Sequence, residues 1–405
     1  IMASRVERRR AFQQALQSKD PYRLAAALEL SPMAANSSSS SKTSNGTYTP
    51  SSNESLVAHG TEWGPVMVAW LDACEAAQKG EVGACFEAQA AVHAAFNHLF
   101  GGCVGNWLVP ALQATCRTTH RMAVLADAAK LRNDHARLQS AVTLLQESFS
   151  KTLNDRKEFK PNAPLGEDGS KKAGVLFIVN QLFSMYFRLN TLRLCKNLLR
   201  PVESRDLHNQ GTMGDMVTFR YYVGRLNMFE DKYDVAEENL DYALLHCHRN
   251  AVANKKRILK YLVPVKLKRG RLPTKLLLTK YSLYEFIPLV EGIRTGDLRT
   301  FNDGLAKYQD MFIRRGTYLL LEKCKAICYR NLFKRAYLIT NKHQIPLDRV
   351  ATSFKWLGMP IDLDEVECIL SNLIFQGVIK GYISHSKRVL VLSKRGPFPI
   401  AAIQK

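Results

Sequence analysis

The stretch Leu347–Lys394 constrains the fold of this chain more than any other. Leu347, Val350, Phe354 and Leu357 fall at three- and four-residue steps, which gives a short helix one apolar face, and Gly358-Met359-Pro360 stops it. A second helix opens at Asp362, with Glu365 three residues on to complete a capping box. Its apolar stripe is Leu363, Val366, Ile369, Leu370, Leu373 and Ile374, and Gly377 ends it. Val378–Ile383 and Val389–Leu392 are rich in β-branched residues and flank the polar turn Ser384-His385-Ser386-Lys387, a hairpin pattern. Two short helices and a hairpin in so short a stretch make a winged helix. Such modules bind nucleic acid or pair with each other.

What precedes this stretch is helical. Residues 1–30 carry sparse apolar points at Phe12, Leu16 and Leu24 and read as an N-terminal helical segment. Residues 31–60 hold a serine, threonine and asparagine tract, Asn36–Ser55, with almost nothing to bury, and are expected to be a flexible linker. Residues 61–340 read as a helical-repeat solenoid. Glu62–Phe149 is alanine-rich, and small residues at helical spacing let neighbouring helices approach closely. Pro161, Pro164, Gly166 and Gly169 interrupt the periodicity between Lys160 and Lys172. Thr218–Phe229 stripes Phe219, Tyr222, Val223, Leu226 and Phe229; after Glu230-Asp231-Lys232 the next helix stripes Tyr233, Ala236, Leu240, Ala243 and Leu244. That is the logic of a tetratricopeptide-like (TPR-like) pair, and Gly296–Phe312 repeats it. A last long helix, Thr317–Thr340, leads into residues 341–400, the winged helix. The expected fold is mainly α: an α-solenoid of TPR-like helical hairpins capped by a C-terminal winged helix.

Charge is the strongest chemical signal. Lysine and arginine number 57 against 36 acids, a net charge of +21 with pI near 9.6. Such a balance implies a polyanionic partner: nucleic acid, an anionic membrane surface or an acidic protein. Arg249 to Lys280 carries Arg249, Lys255, Lys256, Arg257, Lys260, Lys266, Lys268, Arg269, Arg271, Lys275 and Lys280 without one acid. A charge run is usually a solvated face, but such a face normally intersperses both signs. Lys380, Lys387, Arg388, Lys394 and Arg395 add cations on and just after the hairpin. Asp362, Asp364, Glu365 and Glu367 crowd the start of the second helix, where a recognition helix would meet DNA. Those acids suit the helix dipole and repel phosphate. Nucleic acid is therefore expected on wing and solenoid, with little sequence preference.

Other chemistries find no frame. Nine cysteines stand singly, without a C-x-x-C, which suits buried thiols in a reducing nuclear or cytosolic compartment. His246-Cys247-His248 lacks further ligands at metal spacing and reads as a helix end, and Cys324 and Cys328 read as core residues. The most apolar run, Val175–Phe187, is broken by Asn180, Gln181 and Ser184, so no membrane insertion is expected. The motifs G-x-S-x-G, P-loop and G-x-G-x-x-G after a strand do not occur, and no enzyme, cofactor or metal site is expected.

Several motifs carry a family resemblance. Leu176-Phe177-Ile178-Val179-Asn180-Gln181-Leu182-Phe183, Tyr221-Tyr222-Val223-Gly224-Arg225, His246-Cys247-His248-Arg249, Tyr261-Leu262-Val263-Pro264-Val265-Lys266, Tyr329-Arg330-Asn331-Leu332-Phe333-Lys334 and Lys380-Gly381-Tyr382-Ile383-Ser384-His385 resemble the PCI domain-containing protein two group. That group includes the yeast Thp-one subunit and the COP9-signalosome-subunit-twelve-like proteins. The likeness runs from Gly174 to Pro399; the first sixty residues do not share it. It implies a PCI domain and membership of the TREX-two mRNA export complex, at the inner face of the nuclear pore. It implies two partners, a larger PCI scaffold of the Sac-three or GANP type and a small acidic protein of the Sem-one or DSS-one type. In the family the juxtaposed winged helices form a basic platform for RNA or DNA. That role is carried onto Lys380, Lys387, Arg388, Lys394 and Arg395, and onto Lys266, Lys268, Arg269 and Arg271. The competing expectation is a pure assembly subunit of signalosome or proteasome-lid type.

Overall fold

Small residues set how the early helices pack. In α3 (Gly64–Lys79) and α4 (Val82–Gly102), Ala69, Ala73, Ala76 and Ala88 are all buried. The structure is a computed structural model that describes residues 5–30, 62–129, 135–160, 164–209 and 211–399, so the serine tract lies outside it. Two compact units divide the chain, Ile1–Tyr222 and Val223–Lys405.

The first unit begins with α1 (Arg5–Gln17) and α2 (Pro21–Leu28), the latter capped by the Asp20 carboxylate on the Tyr22 and Arg23 amides. Then come α3, α4, α5 (Val109–Ala128), α6 (Ala136–Leu153), a 3-10 turn at Lys171–Gly174, α7 (Val175–Leu189) and α8 (Arg193–Ser204); from α3 on each packs on the next, while α2 packs on α5. A polar seam runs through this core. Gln89, His93 and Asn97 descend α4 at four-residue steps and are fully or almost fully buried. His93 Nδ1 lies 3.0 Å from Thr119 Oγ1, His93 Nε2 lies 2.8 Å from Ser148 Oγ, and that hydroxyl donates to Asn97 Oδ1 at 2.7 Å. Burial pushes the imidazole down from the usual 6.5 to about 3. The unfolded chain therefore binds a proton that the folded one refuses, and stability falls as pH drops from about 6.5 toward 3. His93→Gln, which keeps hydrogen bonding without that proton, is expected to flatten this fall in urea unfolding measured across the same window.

From Val223 onward the second unit contains the end of α9 (Met213–Phe229), then α10 (Tyr233–His246), α11 (Val252–Lys268) and α12 (Lys275–Lys280). A 3-10 turn (Tyr284–Phe286) follows, then α13 (Ile287–Thr295), α14 (Leu298–Lys307), α15 (Gln309–Arg315), α16 (Tyr318–Lys323) and α17 (Lys325–Thr340). The end of α9 meets α10 closely at Gly224, where a Cβ would stand 2.6 Å from Leu240 Cγ. Gly224→Val is expected to cost about 1–3 kcal/mol through overpacking, read from the urea midpoint. The helix expected over Thr317–Thr340 is broken in two at Cys324. Its amide bonds back only three residues, to the Leu321 carbonyl, which tightens the turn. Tyr308 likewise separates α14 from α15.

The winged helix follows the expected order and adds one strand. β1 (Gln344–Pro346) precedes α18 (Leu347–Trp356) and α19 (Leu363–Phe375), and β2 (Gly381–Ser384) and β3 (Val389–Leu392) form the hairpin. The antiparallel sheet has the order β1-β3-β2, so β3 is central and buries Leu390 and Leu392. The chain is mainly α, helical hairpins ending in a winged helix.

Candidate nucleic-acid interface

The wing is a fixed platform. Arg388, at the end of its turn, has φ +50°, a left-handed conformation that a non-glycine residue adopts at a cost. Its carbonyl accepts the Leu347 amide at 2.9 Å, which ties the turn to the start of α18. On the other side His385 Nδ1 lies 2.8 Å from Glu367 Oε2 of α19. Beyond β3 the chain doubles back as a strap. Ser393 N–H donates to the Lys380 carbonyl at 2.9 Å, and Lys380 N–H to the Pro397 carbonyl at 2.8 Å. The buried Arg330 of α17 anchors the strap's end, donating to the Phe398 carbonyl at 2.7 Å with its guanidinium over the Phe398 ring.

This scaffold holds Lys380, Lys387, Arg388, Lys394 and Arg395 exposed, and none of the five makes an ion pair among the described residues. The acids of α19 are arranged otherwise. Asp362 accepts the Glu365 amide at 2.7 Å while the Glu365 carboxylate accepts the Asp362 amide at 3.3 Å, completing the capping box. Negative charge therefore marks the start of α19 and positive charge the wing.

The solenoid candidates are placed differently from the expectation. Arg269 and Arg271 both grip Glu237 of α10, whose side chain is only 3% exposed, and Arg269 also reaches Asp234 at 2.7 Å. Lys266 pairs with Asp241 at 2.8 Å. Three of the four cations are thus committed to acids, because α11 packs on α10 and brings its basic face against Asp234, Glu237 and Asp241. Arg271 stays half exposed. Lys268 lines a cavity of about 620 Å³ together with Ile327, Ile369, Leu373 and Val378, beside Lys323, which is itself held by Asp231 at 2.8 Å. Elsewhere in the run Lys255, Lys256, Arg257 and Lys260 of α11, like Lys268, make no ion pair among the described residues. Sequence reasoning did not separate the two sets. The signal was present in the i, i+3, i+7 spacing of Asp234, Glu237 and Asp241, an acidic stripe awaiting a basic helix.

His246 stacks on Tyr242 with ring centroids 4.0 Å apart, and Cys247 is buried at the helix end. Burial pushes the Cys324 and Cys328 thiols up to about 12. Among the described residues no three His, Cys, Asp or Glu side chains converge to hold a metal ion, and no helix is long and apolar enough to cross a membrane.

Residues 305–394 match the family model of the PCI domain. Over 299 residues the chain is 40% identical to PCI domain-containing protein 2 of Xenopus laevis, covering 73% of each. The chain belongs to the PCI domain-containing protein 2 family. The Danio rerio protein of that name is 48% identical over 235 residues, 58% of this chain and 59% of that one. The CSN12 homolog of Mycosarcoma maydis is 34% identical over 352 residues, 78% of this chain and 76% of its own. The PCI match starts at Leu305 in α14 and ends at Lys394 just past β3, so it takes in the whole winged helix together with the helices that lead into it.

Proposed function

We propose that this chain is a non-catalytic subunit of a nuclear mRNA export complex that presents a basic surface to nucleic acid. It binds a larger PCI scaffold and a small acidic protein, at the inner face of the nuclear pore and in the cytoplasm. The observation that carries this reading is the charge on the wing: Lys380, Lys387, Arg388, Lys394 and Arg395, exposed and unpaired on a rigid support. Charge distribution supports it. Residues 223–405 hold 32 of the 57 basic residues but only 17 of the 36 acidic ones, so most of the +21 sits in the unit that contains the PCI match. Family membership supports the scaffold and the acidic partner, since a PCI protein is read as a complex subunit. Among the described residues Ser148 and His93 form a hydroxyl–imidazole pair, but it is sealed in the core at 0% exposure and offers no substrate an approach.

The second reading, an assembly subunit whose winged helix meets only protein, is favoured by the acidic start of α19 and by exposed Trp356 and Phe375 on α18 and α19. Purification from native cells distinguishes the two. Co-purification of a PCI scaffold, an acidic protein and nuclease-sensitive RNA fits the export reading; a complex free of nucleic acid that binds no oligonucleotide contradicts it.

A further inference from the structure

We propose a second phosphate-binding site on the solenoid, made by Lys256, Arg257 and Lys260 of α11 beside the Glu285-bound Arg315 of α15, for the backbone of a single-stranded nucleic acid. It rests on the nucleic-acid reading above and shares no residue with the wing. Lys256 and Lys260 lie one turn apart on α11, about 6 Å along its axis, comparable to the step between successive phosphates of an extended strand. Arg315 is fixed from beneath: its Nη1 donates to Glu285 Oε1 at 2.7 Å, and Glu285 is buried. Glu285 thus answers Arg315 by a hydrogen bond and Lys260 by charge alone.

A solvated face is the ordinary explanation of clustered lysines, but there the ammonium groups splay into water. Here Lys260 is half-buried, and the Arg315 side chain is 17% exposed. Burial holds the Lys260 ammonium below its usual range, and Arg315, Lys256 and Arg257 push it further down, against partial relief from Glu285. Lys256, Arg257 and Arg315 thus all act on Lys260, from two helices. Glu285 relieves this repulsion only in part, and phosphate oxygens would relieve the rest. Tyr284, immediately before Glu285 and 53% exposed, supplies an aromatic ring of the kind on which bases stack, which favours a nucleic acid over an acidic protein.

The test uses the full chain and a labelled single-stranded RNA of mixed sequence, with affinity followed from about 50 to about 200 mM salt. Lys256→Glu/Arg257→Glu/Lys260→Glu is expected to bind at least about tenfold more weakly and to lower the salt slope by about 2, at about 0.7 per lost contact. Its urea midpoint should hold or rise, because a repulsion has been removed. The glutamine triple variant should move affinity the same way by less. Tyr284→Ala should weaken binding without changing the slope. Wild-type behaviour of the solenoid triple, with loss in a Lys387→Glu/Arg388→Glu/Lys394→Glu variant, overturns this site and leaves the proposed function standing. Wild-type behaviour of both overturns both. If the solenoid triple loses a poly-glutamate peptide but keeps RNA, the site belongs to an acidic protein and the proposal fails.

Discussion

Glu237→Ala is expected to destabilise the second unit by about 3–5 kcal/mol, measured as its transition in urea unfolding followed by circular dichroism. The carboxylate is almost wholly buried and answers Arg269 and Arg271, with Lys266 3.9 Å away. Removing it leaves the Arg269 guanidinium, 17% exposed, without its main partner in a partly desolvated position. Only Asp234, at 2.7 Å and itself 64% exposed, remains for it. Replacing both ends by apolar groups of similar volume, Glu237→Leu with Arg269→Met, should recover most of the loss, because no unpaired charge is then left inside. Arg271→Ala should cost under about 1 kcal/mol, since half of that side chain is already in water. A large loss in the single variant without recovery in the double one would mean that packing, not charge, governs this seam.

Lys387→Glu/Arg388→Glu/Lys394→Glu is expected to weaken single-stranded RNA binding by about 100-fold near 0.1 M salt. Each phosphate contact to a single strand contributes about 0.7 to the salt slope, so three lost contacts account for about two powers of ten at that ionic strength. Fold stability should stay within about 0.5 kcal/mol, because the three side chains are exposed and unpaired. Unchanged affinity in fluorescence anisotropy would remove the wing from the interface. The strap makes a sharper point. Lys394 and Arg395 are held beside Lys380 by the Ser393–Lys380 and Lys380–Pro397 hydrogen bonds, so the cations form one surface and not a frayed tail.

The winged helix was legible because local chemistry marks its joints. Asp362 and Glu365 form the capping box that their spacing implies, and Gly377, at φ +72°, takes the left-handed turn after α19. β1 was not legible. Three residues ending in proline carry no alternation, and Gln344–Pro346 becomes a strand only because β3 has a free edge to pair. The break at Cys324 escaped for a related reason: the apolar spacing of Thr317–Thr340 runs through it, and only the backbone bond to Leu321 shows the turn. In the basic run, sequence located the charge but not its partners. Glu237 lies 32 residues before Arg269 and 34 before Arg271, a pairing that exists only once α10 and α11 are folded together.

The most direct test is the salt dependence of binding by the full wild-type chain, measured on two single-stranded RNAs of unrelated sequence. A basic platform reading phosphates should give steep, parallel lines of log K against log salt for both RNAs, the wing variant falling on a shallower one. Binding that differs strongly between the two sequences and barely responds to salt, or no binding at about 50 mM salt, would contradict it.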